Sequence, residues 1–333
     1  MILPRPLRTL LYPLSVFYEK IVRVRAGLYE KGRLRRKRLN GTVISVGNLT
    51  VGGTGKTPMV LWLAEKFLAE GKRVAILSRG YRGSGGTSDE IELLRRRLGN
   101  RVLFGVGKDR FRAGRRLELQ EPVDIFLLDD GFQHLQLVRD LNILMLDGSV
   151  KLRDEWLLPA GVLREPISAC RRANLLIVTR KTERPDIEAQ DSHNFPIFYA
   201  QTRLHGFRRA GRQEIPSYLS EIGPGPFFAF CGLGNPEAFW DDLERWHVPL
   251  AGRRMFRDHH RYTKSDVRRL DEEAEQAGAK AFITTEKDEQ NLNQTGLFKH
   301  PVFVAVIDFV LSSESELLAA IDRVLAARRG AAA

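Results

Sequence analysis

Cysteine is nearly absent: the 333 residues hold only Cys170 and Cys231. That excludes a disulfide framework and a four-cysteine zinc site, and it fits a reducing compartment. Long apolar runs are missing from the N-terminal forty residues, where the longest uncharged stretch, Thr9 to Tyr18, is too short to span a bilayer. No small-residue cleavage site follows it, so a signal peptide is not expected. There are no internal repeats, and the only low-complexity tract is the short tail Ala331–Ala333. Acidic residues are the scarcer charge, 41 Asp+Glu against 53 Lys+Arg, which leaves a net charge of +12. That excess calls for an acidic partner: nucleic acid, an anionic membrane or a phosphorylated substrate. What remains, 43% apolar and 28% charged residues, describes a soluble globular chain long enough for about two domains.

The positive charge is concentrated. Residues 1–40 carry 11 basic and two acidic side chains, so they hold +9 of the total. A nucleic-acid enzyme would spread its charge along a groove in the body, and no nucleic-acid partner is expected. The same segment places Leu7, Leu10, Leu11, Leu14, Phe17, Tyr18, Ile21 and Val22 at spacings of three and four. This predicts an amphipathic helix, broken or kinked at Pro13. Such a helix either lies in a membrane interface or packs on the protein body with a solvated basic end.

From residue 42 onward, short apolar runs alternate with helical stretches. Strands are expected at Thr42–Val46, Val74–Leu77, Ile125–Leu128, Leu141–Leu146 and Leu175–Val178, with a helix from Lys56 to about Glu70. The pattern predicts an α/β fold: a mostly parallel sheet with helices on both faces. Arg, Gly and Pro gather over 206–226, ending in Gly223-Pro224-Gly225-Pro226, and mark a linker between a domain at 41–205 and a second, smaller α/β domain at 227–333. In the latter, strands are expected at Phe227–Phe230, Ala281–Thr284 and Val302–Ile307, and helices at Pro236–Trp246, Thr263–Gly278 and Ser313–Arg329.

The first predicted strand runs into Thr50-Val51-Gly52-Gly53-Thr54-Gly55-Lys56-Thr57, which opens the first body helix. That is the context of a P-loop: glycines curl the backbone so that N–H groups point at phosphate oxygens, and the helix N-terminus adds positive potential. Lys56 would reach the β- and γ-phosphates, and the Thr57 hydroxyl would ligate Mg²⁺. Thr50 stands where the usual motif has its first glycine. A second Mg²⁺ contact is expected from Asp129 and Asp130, which end a four-residue apolar strand at the sheet edge where ligands of open α/β folds bind. Paired carboxylates at that place are costly unless a cation neutralises them. The cofactors implied are a nucleoside triphosphate, ATP, and Mg²⁺.

Further strings carry a resemblance. Ile44 through Pro58, with Ser or Thr in place of the first P-loop glycine, resembles the opening of the tetraacyldisaccharide 4'-kinases, the lipid A 4'-kinases. So do Leu77-Ser-Arg79-Gly-Tyr81-Arg-Gly83, Leu128-Asp-Asp-Gly-Phe-Gln133-His134 with Arg139-Asp140-Leu141, Leu158 through Pro166, Gly232-Leu-Gly234-Asn235-Pro236, Asp258-His259-His260-Arg-Tyr262 and Thr284-Thr-Glu-Lys287-Asp288. The resemblance implies a P-loop kinase-like fold of two α/β/α domains joined by a two-stranded linker. It implies transfer of the γ-phosphate of ATP to the 4'-hydroxyl of a lipid A disaccharide 1-phosphate, at the cytoplasmic face of the bacterial inner membrane. The N-terminal segment would then be a peripheral contact with anionic membrane. An Asp–His pair serves the family as base. Here it maps onto Asp89, in Ser88-Asp89-Glu90-Ile91 where the family's flanking Gly and Pro are replaced, and onto His259. Because the two come from different domains, closure could assemble the site. Gln133, His134 and Arg164 would face the acceptor sugar or phosphates, with Arg79 and Lys287 less directly. One active site can be built within one chain, so a monomer is expected.

A P-loop GTPase or nucleic-acid-dependent ATPase is the competing class. A GTPase needs an Asn/Thr-Lys-x-Asp string to read guanine; Val178 through Thr182 and Thr285-Glu-Lys287-Asp288 come near and miss the spacing. A non-catalytic membrane adaptor would not need Lys56, Thr57 and the two aspartates intact.

Overall fold

A computed structural model describes residues 4–80, 89–180, 195–212, 214–292 and 298–330. Tyr81, Gly83 and Ser88 of the quoted strings, with Lys181, Thr182 and the alanine tail, lie outside the described residues. The chain divides into two compact units. The first comprises Met1–Thr87, Leu94–Gln201 and Val310–Ala333; the second comprises Ser88–Leu93 and Thr202–Phe309.

In the first unit, α1 (Arg5–Glu30) precedes a parallel series of strands: β1 (Thr42–Asn48), β2 (Val74–Ser78), β3 (Leu103–Val106), β4 (Ile125–Asp129), β5 (Leu141–Asp147), β6 (Leu175–Thr179) and the start of β7 (Ile197–Arg209). Their spatial order is β3-β2-β4-β1-β5-β6-β7. β1 sits in the middle with Val46 opposite Asp129 on β4 and Ile143 on β5. Its neighbour β4 reads Ile-Phe-Leu-Leu-Asp, and all five residues are buried. Each such aliphatic or aromatic side chain contributes about 1.5–3 kcal/mol by leaving water. The helices α2 (Lys56–Ala69) and α4 (Arg110–Gln120) cover the strands, α2 against β4 and β1, and α4 against β3 and β2. Ala113 and Leu117 of α4 pack with Val43, Phe126 and Leu128.

The second unit contains the first residues of α3 (Asp89–Leu98), the remainder of β7, β8 (Phe227–Cys231), α5 (Glu237–Arg245), β9 (Leu250–Met255), α6 (Lys264–Gln276), β10 (Ala281–Thr285), α7 (Glu286–Glu289) and most of β11 (Val302–Leu311). Its parallel order is β11-β10-β8-β9. Phe228, Phe230, Tyr262 and Phe282 form an aromatic core on one side of these strands.

Three details differ from the sequence-based expectation. α1 runs unbroken through Pro13; a proline costs a helix one backbone hydrogen bond, and here the packing of Ser15 and Tyr18 on the body carries the helix past it. The stretch 206–226 is structured rather than a linker: Phe207 is fully buried and exchanges backbone hydrogen bonds of 2.8 and 2.7 Å with Ser217. The closing helix α8 (Glu314–Gly330) belongs to the first unit, not the second.

Candidate active site

The phosphate loop is built by glycine geometry. Gly52 and Gly55 have φ of 116° and 83°, a region open to glycine at little cost. Gly55 is the N-cap of α2, so the free N–H groups of the first turn open onto the loop. Asn48 Nδ2 lies 3.4 Å from Thr50 Oγ1, and Val51 N–H donates to Val162 O at 2.8 Å. Gly53 O accepts from Arg180, which is itself paired to Asp147. Thr54 is buried and its hydroxyl has no hydrogen-bond partner. Lys56 opens α2 and Thr57 follows it.

The two aspartates close β4 beside this loop. Gly47 on β1 makes that approach possible: a Cβ there would meet Phe132 Cβ and N at 2.6 Å. Gly131 N–H donates to Val46 O at 3.0 Å. Asp130 adopts a left-handed φ of 51°, uncommon for a non-glycine residue. Its carboxylate lies 3.6 Å from Lys56 Nζ and 2.6 Å from Arg164 Nη1. Burial opposes ionisation of Asp130, but Lys56, Arg164 and Arg110 outweigh it and hold the carboxyl below its ordinary range. Asp130 Oδ1, the oxygen that faces Lys56, accepts no hydrogen bond among the described residues. An ionised oxygen that is ion-paired but not hydrogen-bonded, next to a phosphate loop, fits a hard divalent cation.

Gln133 and His134 follow in the same turn. Gln133 Nε2 donates to Asn48 O at 2.8 Å. His134 Nδ1 is 3.2 Å from Arg110 Nη1. A guanidinium only donates, so Nδ1 accepts and the imidazole proton sits on Nε2, which is buried without a partner among the described residues. Burial, reinforced by Arg110 and Arg139, pushes His134 down to about 4, so the ring is neutral. Arg110 also reaches the Asp129 and Asp130 carbonyls at 3.4 and 3.3 Å. Sequence reasoning missed Arg110. It sits in a charge-rich helix, and its only local signal is the N-cap Asp109 before it.

Both members of the Asp–His pair lie in the second unit, not in two different domains as the sequence suggested, because the start of α3 belongs to that unit. Asp89 opens α3, and its Oδ2 lies 2.8 Å from His259 Nδ1 across 170 residues of sequence. Asn291 Nδ2 donates to the same oxygen at 2.9 Å; that partner was not anticipated. His259 Nε2 is 3.7 Å from Glu90 and 3.8 Å from Asp258. The Asp89 hydrogen bond raises His259 above the ordinary imidazole range, against the opposing effect of burial. Burial likewise opposes Asp89, which His259 and Asn291 nevertheless hold below the carboxylate range. Lys287, which sequence reasoning set near the acceptor, bonds Asp258 at 2.8 Å in this cluster. His260, the neighbour passed over in favour of His259, instead pairs with Asp266 at 3.0 Å and stacks on Phe256.

α1 lies on the first unit. Ser15 Oγ donates to Leu157 O at 2.8 Å, Tyr18 Oη to Arg164 O at 3.0 Å, and Arg8 pairs with Glu155 at 3.0 Å. Its opposite face exposes Leu7, Leu10, Leu14, Phe17, Ile21 and Val24, each 40–74% accessible, at alternating spacings of three and four. Among the described residues no helix is long and apolar enough to cross a membrane.

A central parallel strand, a glycine loop feeding a helix N-terminus, and an aspartate beside the loop lysine make this a nucleotide-binding protein of the P-loop class. Residues 7–326 match the family described as tetraacyldisaccharide-1-P 4'-kinase, and the chain belongs to that family. The tetraacyldisaccharide 4'-kinase of Geobacter metallireducens is 40% identical, covering 97% of this chain and all of its own length. That of Geobacter sulfurreducens is 39% identical over 93% of this chain and 92% of its own. The crystal structure of LpxK from Aquifex aeolicus in complex with ATP superposes with a TM-score of 0.74 at 32% identity, covering 96% of this chain and 99% of that one.

Proposed function

We propose that this chain transfers the γ-phosphoryl group of ATP to the 4'-hydroxyl of a tetraacyldisaccharide 1-phosphate, in lipid A biosynthesis. The observation that carries the reading is the Asp89–His259 hydrogen bond: a sugar hydroxyl is a weak nucleophile at neutral pH, and a positioned base accelerates its attack by about 10²–10⁴-fold. Asp89 is ionised, so it accepts from His259 Nδ1–H and leaves the Nε2 lone pair free. Nε2 takes the hydroxyl proton, and Asp89 stabilises the imidazolium that forms.

On the nucleotide side, the loop from Thr50 to Gly55 cradles the triphosphate with backbone N–H groups, and Lys56 neutralises charge on the transferring group. Thr57, Asp129 and Asp130 are the residues that would hold Mg²⁺, and the unbonded Asp130 oxygen supports that assignment. Bound there, the ion would neutralise charge on the β- and γ-phosphate oxygens. Arg164, engaged by Asp130, can bind an acceptor or γ-phosphate with two N–H groups. Gln133 and the neutral Nε2–H of His134 offer uncharged donors to the sugar. The exposed apolar stripe of α1, with the basic residues that follow it, lies in the surface of an anionic membrane, which makes the protein peripheral to the cytoplasmic face of the inner membrane. The chain acts as a monomer.

The test is incubation with γ-labelled ATP, Mg²⁺ and tetraacyldisaccharide 1-phosphate in detergent micelles. Label is expected on the lipid. ATP hydrolysis without lipid labelling would move the chain to the GTPase or nucleic-acid-dependent ATPase class.

A further inference from the structure

We propose that Asp288 is a positioning residue for the base: it clamps the turn that carries His259, although it touches neither nucleotide nor acceptor. The proposal rests on the reading of His259 as base. His259 has a left-handed φ of 58°, a conformation that its surroundings must impose. Asp288 is 1% exposed. Its Oδ1 accepts from Gly232 N–H at 2.7 Å and from Tyr262 Oη–H at 2.8 Å, while its Oδ2 accepts from Thr285 Oγ1–H at 2.6 Å. The same Gly232, through its carbonyl, accepts the His259 N–H at 3.2 Å. One glycine therefore links the buried carboxylate to the backbone of the base, and Tyr262 ties down the turn three residues beyond it.

The fit leaves no slack. A Cβ on Gly232 would stand 2.9 Å from Arg257 O, 3.1 Å from Asp288 Oδ1 and 3.2 Å from His260 Cβ. The end of β8 and the 257–260 turn are thus in contact along their backbones, and Asp288 accepts from Gly232 on one side and from Tyr262 just beyond the turn on the other. Tyr262 is held in turn by edge contacts with Phe230 and Phe256 at 5.2 and 5.0 Å. The next residue back, Lys287, bonds the Asp258 side chain, so consecutive positions of one short helix hold the turn, Lys287 directly and Asp288 through Gly232 and Tyr262. This gives Gly232, Thr285, Lys287 and Asp288 a shared role in holding the turn.

The experiment compares Asp288→Ala, Asp288→Asn and Tyr262→Phe with His259→Ala in the full chain, using ATP, Mg²⁺ and tetraacyldisaccharide 1-phosphate in micelles. It reads kcat, KM for ATP, and the pH titration of the His259 ring by NMR. The groups facing that ring are Asp89 and Glu90 from α3, Asp258 from its own turn and Lys287 from α7. In Asp288→Ala, kcat is expected to fall about 10²-fold, the scale of a misplaced reacting group, with KM for ATP unchanged. The His259 titration is expected to move down toward the ordinary imidazole value as the Asp89 contact loosens. Asp288→Asn keeps the Oδ1 acceptor for Gly232 and Tyr262 and is expected to recover most of kcat; Tyr262→Phe is expected to lose several-fold. Should Asp288→Ala fail to fold, Tyr262→Phe decides. The proposal is overturned if His259→Ala loses activity while the folded Asp288→Ala and Tyr262→Phe variants keep a normal His259 titration and kcat within twofold. If His259→Ala itself retains full kcat, the base assignment fails, and the proposal fails with it for that separate reason.

Discussion

The phosphate loop and the His259 turn solve opposite problems. The loop is eight consecutive residues, and its chemistry lies in backbone N–H groups that Gly52 and Gly55 orient, with Val162 and Arg180 bracing it from outside. The proposed base is made from Asp89 on α3, His259 on a turn after β9, and Asn291 beyond α7, joined only by folding. Local backbone geometry tolerates change elsewhere; a tertiary hydrogen bond depends on every element that holds its two ends. The two regions should therefore respond differently to mutation and to pH.

The largest effect that separates them is expected from the base. His259→Ala and Asp89→Ala should each lower kcat by about 10²–10⁴-fold while leaving the ATP dissociation constant within twofold, measured by single-turnover kinetics and nucleotide titration. Lys56→Ala should lower kcat by about 10²–10³-fold, the usual effect of one lost electrostatic donor, and weaken ATP binding as well. A loop variant that spared ATP binding would erase the distinction. Next in size is Phe17→Asp on the exposed stripe of α1. It should weaken binding to anionic vesicles by about tenfold or more, since a Phe contributes roughly 1.5–3 kcal/mol when buried, and leave thermal stability within about 0.5 kcal/mol. Equal vesicle binding by both proteins would remove the membrane role of α1.

Gly47→Ala tests the seat of the aspartates. The added Cβ would stand 2.6 Å from Phe132 backbone and side chain, and the expected cost is about 1–3 kcal/mol of stability, read as a lowered Tm. The smallest and sharpest contrast is in pH. His259 is raised above the imidazole range, so the fraction of unprotonated base, and with it kcat, should rise as pH climbs through a value above about 6.5. The stabilising Asp89–His259 contact runs the other way: it is complete below about pH 6.5 and is lost as pH rises through the raised value. His134 is lowered to about 4, so its contribution is present above about pH 6.5 and is lost as pH falls toward 4. His134→Gln should abolish that acid-side loss and leave the alkaline behaviour untouched.

The order in which these features could be read from the sequence follows the same division. The strand–loop–helix unit from Thr42 to Ala69 was legible because its residues are contiguous and each type has a local reason to be there. Strands buried on both sides, such as Ile125–Asp129, announce themselves as unbroken apolar runs. Helix α4 did not, because Arg-Phe-Arg-Ala-Gly-Arg-Arg-Leu-Glu-Leu-Gln shows few apolar positions and hides a buried Arg110 among solvated ones. β9 was missed for a related reason: Leu250-Ala-Gly-Arg-Arg-Met combines a glycine with two adjacent arginines at a partly exposed sheet edge. The Asp89–His259 pair was reached through motif resemblance, since no spacing rule joins residues 170 apart. Asn291 and the clamp of Gly232, Tyr262 and Asp288 lay beyond that route, because their roles exist only as hydrogen bonds between elements.

The central claim is that one region binds the nucleotide and another activates the acceptor. The most direct test is single-turnover transfer of label from γ-labelled ATP to tetraacyldisaccharide 1-phosphate by His259→Ala at saturating ATP. The account predicts normal ATP binding with transfer slowed by about 10²–10⁴-fold. Transfer at the unmodified rate, or a matching loss of ATP binding, would contradict it.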